Sequence, residues 1–138
     1  MRPRTRPSQT RRAQVLLELM SVDTSDVLFA EDIPLGSPGA MADVDPAELR
    51  LVLTDHNELC EAMRGWSRAV EEVVDHHRDA RAHAHVVGAA RRIDFDEAAG
   101  AGVGSACTLV AHEFAARAPA LLEPAVAGML MGAWAHLM

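Results

Sequence analysis

Two short runs place groups that bind metal or move protons directly behind apolar residues. EEVVDHH, Glu71 to His77, carries two valines into Asp75, His76 and His77. LVLTDHNE, Leu51 to Glu58, carries an aliphatic run into Asp55 and His56. Carboxylate and imidazole together form a ligand set that suits octahedral Mn, Co or Mg better than tetrahedral zinc. If both runs are strands that end at the same edge of a sheet, Asp55 and the Asp75-His76-His77 group converge on one site. The competing reading is that the aspartates merely terminate strands and the histidines are exposed turn residues. Repetition of the pattern at two strand ends favours convergence.

Other groups carry weaker chemistry. GAGVGSACTLVAHEF, Gly100 to Phe114, passes from a glycine-rich loop into a helical pattern, with Ser105 as N-cap and Leu109, Val110 and Phe114 on the buried side. Its glycines are out of register for a dinucleotide fingerprint and follow an acidic turn instead of a strand. A helix starting at Gly104-Ser105 either offers free backbone N–H groups to a phosphate or is a cap with no ligand. His112-Glu113 lacks the second histidine of a metalloprotease motif, because Ala116 stands four positions after His112. His83 and His85 read as an exposed pair, and Asp43-Val44-Asp45 as solvated turn residues. Cys107, in an apolar helical run, reads as a small buried side chain.

The elements that must position these groups follow from spacing and breakers. Val15, Leu16 and Leu19 predict a helix over 11–20, followed by a short strand at 27–30 and a Pro/Gly-rich irregular loop over 33–46. Strands over 49–54 and 70–74, with a short helix at 57–63 between them, give a βαβ rhythm. The fold class is therefore α/β, a parallel sheet covered by helices, in which ligands gather beyond the carboxyl ends of the strands. A further strand within 85–93, an acidic turn at Asp94, Asp96 and Glu97, the helix from Ser105 and a last apolar helix over 119–131 complete the reading.

At 138 residues and 49% hydrophobic, the chain has the material for one domain with a real core. No apolar stretch approaches the roughly 20 residues that span a bilayer, so no membrane is expected as partner. Five arginines precede Glu18, which leaves eight basic residues against 20 acids in the remainder. Such an acidic body argues against nucleic acid, and Trp66 and Trp134 are too isolated to make a stacking platform. Residues 1–12 read as a disordered basic leader, although an organelle transit peptide has the same composition. Cys60 and Cys107 show no CxxC spacing, which fits reduced thiols and a cytoplasmic location.

Taken together, LVLTDHNE, VVDHH and VGSACTLV resemble the motifs of the DHH phosphoesterases, in the branch of exopolyphosphatases, Prune-type proteins and class II inorganic pyrophosphatases. The resemblance runs from about Arg12 to Gly132. It implies a parallel-sheet domain with helices on both faces, filling residues 13–138. It further implies that Asp55 bridges divalent cations, Mn2+ first and Mg2+ or Co2+ after it. By the same resemblance His76 is a direct metal ligand, Asp75 orients or supplements the cluster, His77 contacts substrate phosphate, and Gly104 and Ser105 form the phosphate-side turn. The implied reaction is in-line attack of water on the phosphoanhydride of polyphosphate or pyrophosphate, with two cations roughly 3.5–4 Å apart.

Relatives of that kind begin with a strand ending in DxD. After the GMLMG helix they continue into a strand ending in Asp-Thr, where this chain reads GAWAHLM and Leu137 takes the aspartate's place. Their second, basic domain has no counterpart here. The expectation is therefore a partial DHH domain, truncated at both ends and inactive as a hydrolase. The alternative is a non-catalytic Prune-like interaction module whose exposed apolar surface favours self-association.

Overall fold

The computed structural model describes residues 11–21, 23 and 47–135. The strand expected at 27–30, the 33–46 loop with Asp43 and Asp45, residues 1–10 of the leader and the terminal 136–138 lie outside them. Three strands, β1 (Leu51–Thr54), β2 (Val70–Asp75) and β3 (Arg91–Ile93), form a parallel sheet with β2 in the middle. The two expected strands are thus present, and the chain is an α/β protein.

β2 holds the sheet together because Val70 and Val73 are fully buried and β-branched side chains pack well on a pleated surface. Its pairing with β1 contains a register shift. Leu51 lies opposite Val70, but Val52 lies opposite Glu72 and Thr54 opposite Val74, so Glu71 is the extra residue of a bulge. Two consequences follow. Val70 and Val73, three apart, join the same core cluster with Leu53, Leu59 and Val86, which a regular two-residue alternation would not permit. The shift also draws the C-terminal ends of the strands level, and the Asp55 N–H donates to Val74 O at 3.0 Å.

The connections differ from the expected helices. No α-helix forms over 57–63; the β1–β2 crossover instead runs through 3₁₀ turns at Glu61–Ala69. Asn57 is buried and hydrogen-bonded to the loop after β2, which keeps it out of a helix, and Gly65 interrupts the later residues. The strand expected within 85–93 contracts to β3, preceded by a 3₁₀ turn at Gly88–Ala90. In place of a plain acidic turn and glycine loop, β4 (Phe95–Asp96) pairs antiparallel with β5 (Ala101–Gly102).

Helix α2 (Ala106–Arg117) follows, and the single helix expected over 119–131 is divided: a 3₁₀ turn at Pro119–Leu121, then α3 starting on Pro124 and running to Ala135. Proline tolerates the first turn of a helix but not its interior. Helix α1 (Arg11–Leu19) begins two residues inside the segment read as leader. It approaches α3 where added Cβ atoms on Gly128 and Gly132 would run into Met20 and Leu16.

Met63, Trp66, Ala90 and Ile93 pack onto the Leu53–Val73 cluster, so the 3₁₀ segment covers one sheet face. Helix α2 covers the other: Leu109 is buried, Arg117 pairs with Glu72 of β2, and Arg92 of β3 pairs with Glu113. Both faces are covered, one by an α-helix and the other by 3₁₀ turns. Among the described residues no helix is long and apolar enough to cross a membrane.

Candidate metal centre

Asp55 leaves β1 in the left-handed region, φ 67°, a conformation that Asp tolerates better than most residues. His76 and His77 leave β2 one position later in space. Ligand atoms of Asp55, His76 and His77 lie within 4.8 Å of one another, the one group of three potential metal ligands found among the described residues. His76 Nε2 is 3.1 Å from Asp55 Oδ1.

Each imidazole is turned by a partner on its other nitrogen. His76 Nδ1 is 2.8 Å from the carbonyl oxygen of Val103, which can only accept, so Nδ1 carries a proton and Nε2 is the nitrogen turned toward Asp55. The glycines of the 100–104 loop serve this contact. A Cβ on Gly102 would collide with the Asp94 carbonyl oxygen and lie 3.1 Å from that of His76. Only glycine lets the chain lie this close and bring Val103 onto His76.

His77 Nδ1 is 2.8 Å from Asp75 Oδ1. Asp75 is fully buried and saturated: Oδ1 also accepts from the backbone N–H groups of His76 and His77, at 2.7 and 3.2 Å, and Oδ2 accepts from Asn57 Nδ2. Burial pushes the Asp75 carboxyl up, but the bonds from the His77 ring, Asn57 and the two backbone N–H groups outweigh it and hold the group below the ordinary carboxylate value. Asp75 therefore lies outside the three-ligand group, and its geometry serves orientation of His77. His77, expected against substrate phosphate, also has a ring nitrogen within the group.

The loop behind the histidines is fastened from two sides. Asn57 accepts from Ala80 N–H at 2.8 Å and donates to Arg78 O at 3.1 Å. Arg91 pairs with Asp79 and donates to Ala82 O at 3.0 Å. The Arg91 hydrogen bond keeps the Asp79 carboxyl below its ordinary value, against a smaller opposing effect of burial.

Ser105 is the N-cap of α2 as expected, its Oγ accepting from Cys107 N–H at 3.2 Å. It is buried, whereas Gly104 is exposed. Cys107 is half-buried and Cys60 exposed, both as free thiols. His83 corrects the exposed-pair reading: it is 8% exposed, with Nδ1 2.9 Å from Ser67 Oγ and Nε2 buried without a partner, while His85 is exposed and donates from Nε2 to Val70 O. His112 and Glu113 engage Arg92, a structural role. Sequence reasoning missed Asn57 and Val103. The first sits two residues after Asp55 in the same motif, a readable signal; the second contributes only a backbone oxygen and has none.

An α/β chain with an aspartate and two histidines gathered at the carboxyl ends of adjacent parallel strands is what fold and site together define. No protein-family model matches the sequence, and no curated protein or solved structure does.

Proposed function

We propose that Asp55, His76 and His77 bind a divalent cation, Mn2+ first and Mg2+ or Co2+ after it. We further propose that the site is of the kind that serves hydrolysis of a phosphoanhydride such as polyphosphate or pyrophosphate, the three ligands among the described residues being too few for a two-cation centre and for turnover by this chain. The observation that carries the reading is the approach of His76 Nε2 to Asp55 Oδ1 at 3.1 Å while His76 Nδ1 is committed to Val103 O. Two lone pairs held face to face repel unless a proton or a cation lies between them. Metal-ligating histidines characteristically donate their second ring N–H to a carboxylate or a backbone carbonyl, and His77 and His76 do one each.

When bound, a divalent cation lowers the pKa of coordinated water and offsets charge on phosphoryl oxygens. The chain's own residues supply the rest. Asp55 contributes the carboxylate, His76 and His77 contribute nitrogens of fixed direction, and Asp75 holds His77 without itself facing solvent. Because the body is acidic, attraction for an anionic substrate would come from the cation and not from the chain. The free thiols Cys60 and Cys107 support a reducing, cytoplasmic setting.

The test is Mn2+ titration of the chain, of Asp55→Asn and of His76→Ala, followed by phosphate release from pyrophosphate and polyphosphate. We expect binding that falls at least tenfold in each variant, and any phosphate release to require the cation. Equal affinities in all three proteins would remove the reading.

A further inference from the structure

Building on the cation-site reading, we infer that Asn57 is the positioning residue of the cluster, fixing the direction and tautomer of His77 through Asp75. Asn57 is 5% exposed and touches none of the three ligand residues' side chains through a hydrogen bond. Its amide is fully specified. One Nδ2 hydrogen goes to Asp75 Oδ2 at 2.5 Å, the other to Arg78 O at 3.1 Å, and Oδ1 accepts from Ala80 N–H at 2.8 Å. Turning the amide over would set its oxygen against a carboxylate and a carbonyl, and its NH2 against an N–H. Three mismatches replace three bonds, so a single orientation exists.

That orientation decides what Asp75 can do. Oδ1 receives three donors, from His76 N, His77 N and His77 Nδ1, whereas Oδ2 receives only Asn57. Without Asn57 one buried oxygen loses its partner, and rotation of the carboxylate is no longer opposed from that side. Asn57 thereby fixes the rotation of the carboxylate that meets His77, and a carboxylate at Nδ1 places a ring proton there and leaves Nε2 as the nitrogen for a cation. Asn57 lies just past the end of β1 and Asp75 ends β2, so the bond also ties together the two strand ends that deliver Asp55 and His76.

The experiment reads ring 15N shifts of His77 in the full metal-free chain, with Mn2+ affinity alongside, for the unaltered protein, Asn57→Ala and the double variant Asn57→Asp/Asp75→Asn. We expect one Nδ1–H tautomer in the unaltered chain. In Asn57→Ala we expect mixed tautomers and Mn2+ affinity reduced ten- to a hundredfold. In the double variant donor and acceptor trade places between positions 57 and 75 and an amide oxygen still meets His77 Nδ1, so the single tautomer should return, while the carboxylate of position 57 against the Arg78 carbonyl oxygen keeps the affinity below that of the unaltered chain.

A merely structural Asn57 would lower stability without moving the tautomer, so a folded Asn57→Ala with unchanged His77 shifts overturns the proposal. If Asn57→Ala does not fold, a folded double variant with mixed tautomers overturns it equally. In the unaltered chain, side-chain amide protons of Asn57 exchanging as fast as those of an exposed amide would do so without any variant. Lack of Mn2+ binding by the unaltered chain would instead remove the cation-site reading, and the tautomer result would still decide the role of Asn57.

Discussion

His76 Nδ1 lies 2.8 Å from the carbonyl oxygen of Val103, which is 27 residues further along the chain. The contact joins the end of the central strand to the loop before α2, and it determines which nitrogen of His76 faces Asp55. The glycine-rich loop is thus part of the candidate site through its backbone, whether or not it ever meets a phosphate.

Gly102→Ala should be felt at a distance from its own position. Its Cβ would meet the backbone of Asp94 and His76, which cannot yield as a flexible side chain can. We expect about 1–3 kcal/mol of destabilisation in urea unfolding. We also expect weaker Mn2+ binding, because displacement of β5 carries Val103 off His76. Unchanged stability would show that the loop relaxes freely.

Asp75 should be among the costliest residues to remove. Asp75→Ala strands Asn57 Nδ2 in a buried position and takes the acceptor from the part-buried backbone N–H groups of His76 and His77, a loss of about 3 kcal/mol. Its carboxyl is held below the ordinary 3.8, so the unfolded chain takes up the proton first as pH falls. The stabilisation it contributes is complete above the ordinary carboxylate value and is lost as pH drops through the lower folded value. Acid unfolding followed by circular dichroism should therefore be less steep in Asp75→Asn than in the parent.

His83 gives a second pH dependence at a higher window. Burial lowers its pKa from 6.5, and the repulsion of His85 and Arg91 adds to this against the opposing pull of the Ser67 bond and Glu58. The unfolded chain binds the proton more readily than the folded one, so stability is full above about pH 6.5 and declines as pH falls below it. His83→Asn suits the left-handed backbone, φ 53°, and should flatten the change in Tm between pH 7 and 5. Parallel Tm curves for the two proteins would contradict this account.

Glu113 joins Arg92 of β3 to Arg117 of α2, and Arg117 reaches on to Glu72 of β2 at 3.0 Å. Solvent reaches all four groups, so Glu113→Gln should cost only about 1 kcal/mol, and less in high salt. Thermal unfolding at low and high ionic strength checks both statements. A loss that grows with salt would mean the pairs do not act by charge.

Much of this arrangement could be read from residue order, for a physical reason. LVLT and VEEVVD are apolar runs broken by acids, and parallel strands must end their ladders near one another. Convergence of Asp55 with His76 and His77 follows from those two facts. Ser105 was equally legible, since a hydroxyl before an apolar helical run caps it. Asn57 and Asp75 were harder: one buried amide chooses among several polar neighbours, and spacing does not reveal that the carboxylate is saturated. His83 was misread because its burial depends on the 61–69 segment folding over it through Ser67, a contact between residues 16 apart. β3 and the β4–β5 pair, at three and two residues, are too short to leave an alternating signature.

The bulge at Glu71 gives β2 two independent phases. Its first half faces the packed side through Val70, and after the extra residue its second half returns to that side at Val73 while presenting Asp75 level with Asp55. Core and site are thus keyed to the same six residues by a single offset. A one-residue deletion between Val70 and Val73 would regularise the strand and leave a choice between withdrawing Val70 from the core and rotating the end that carries the histidines. Length variation in this protein should therefore be accommodated in its crossovers and excluded from this strand, a constraint on spacing rather than on residue type.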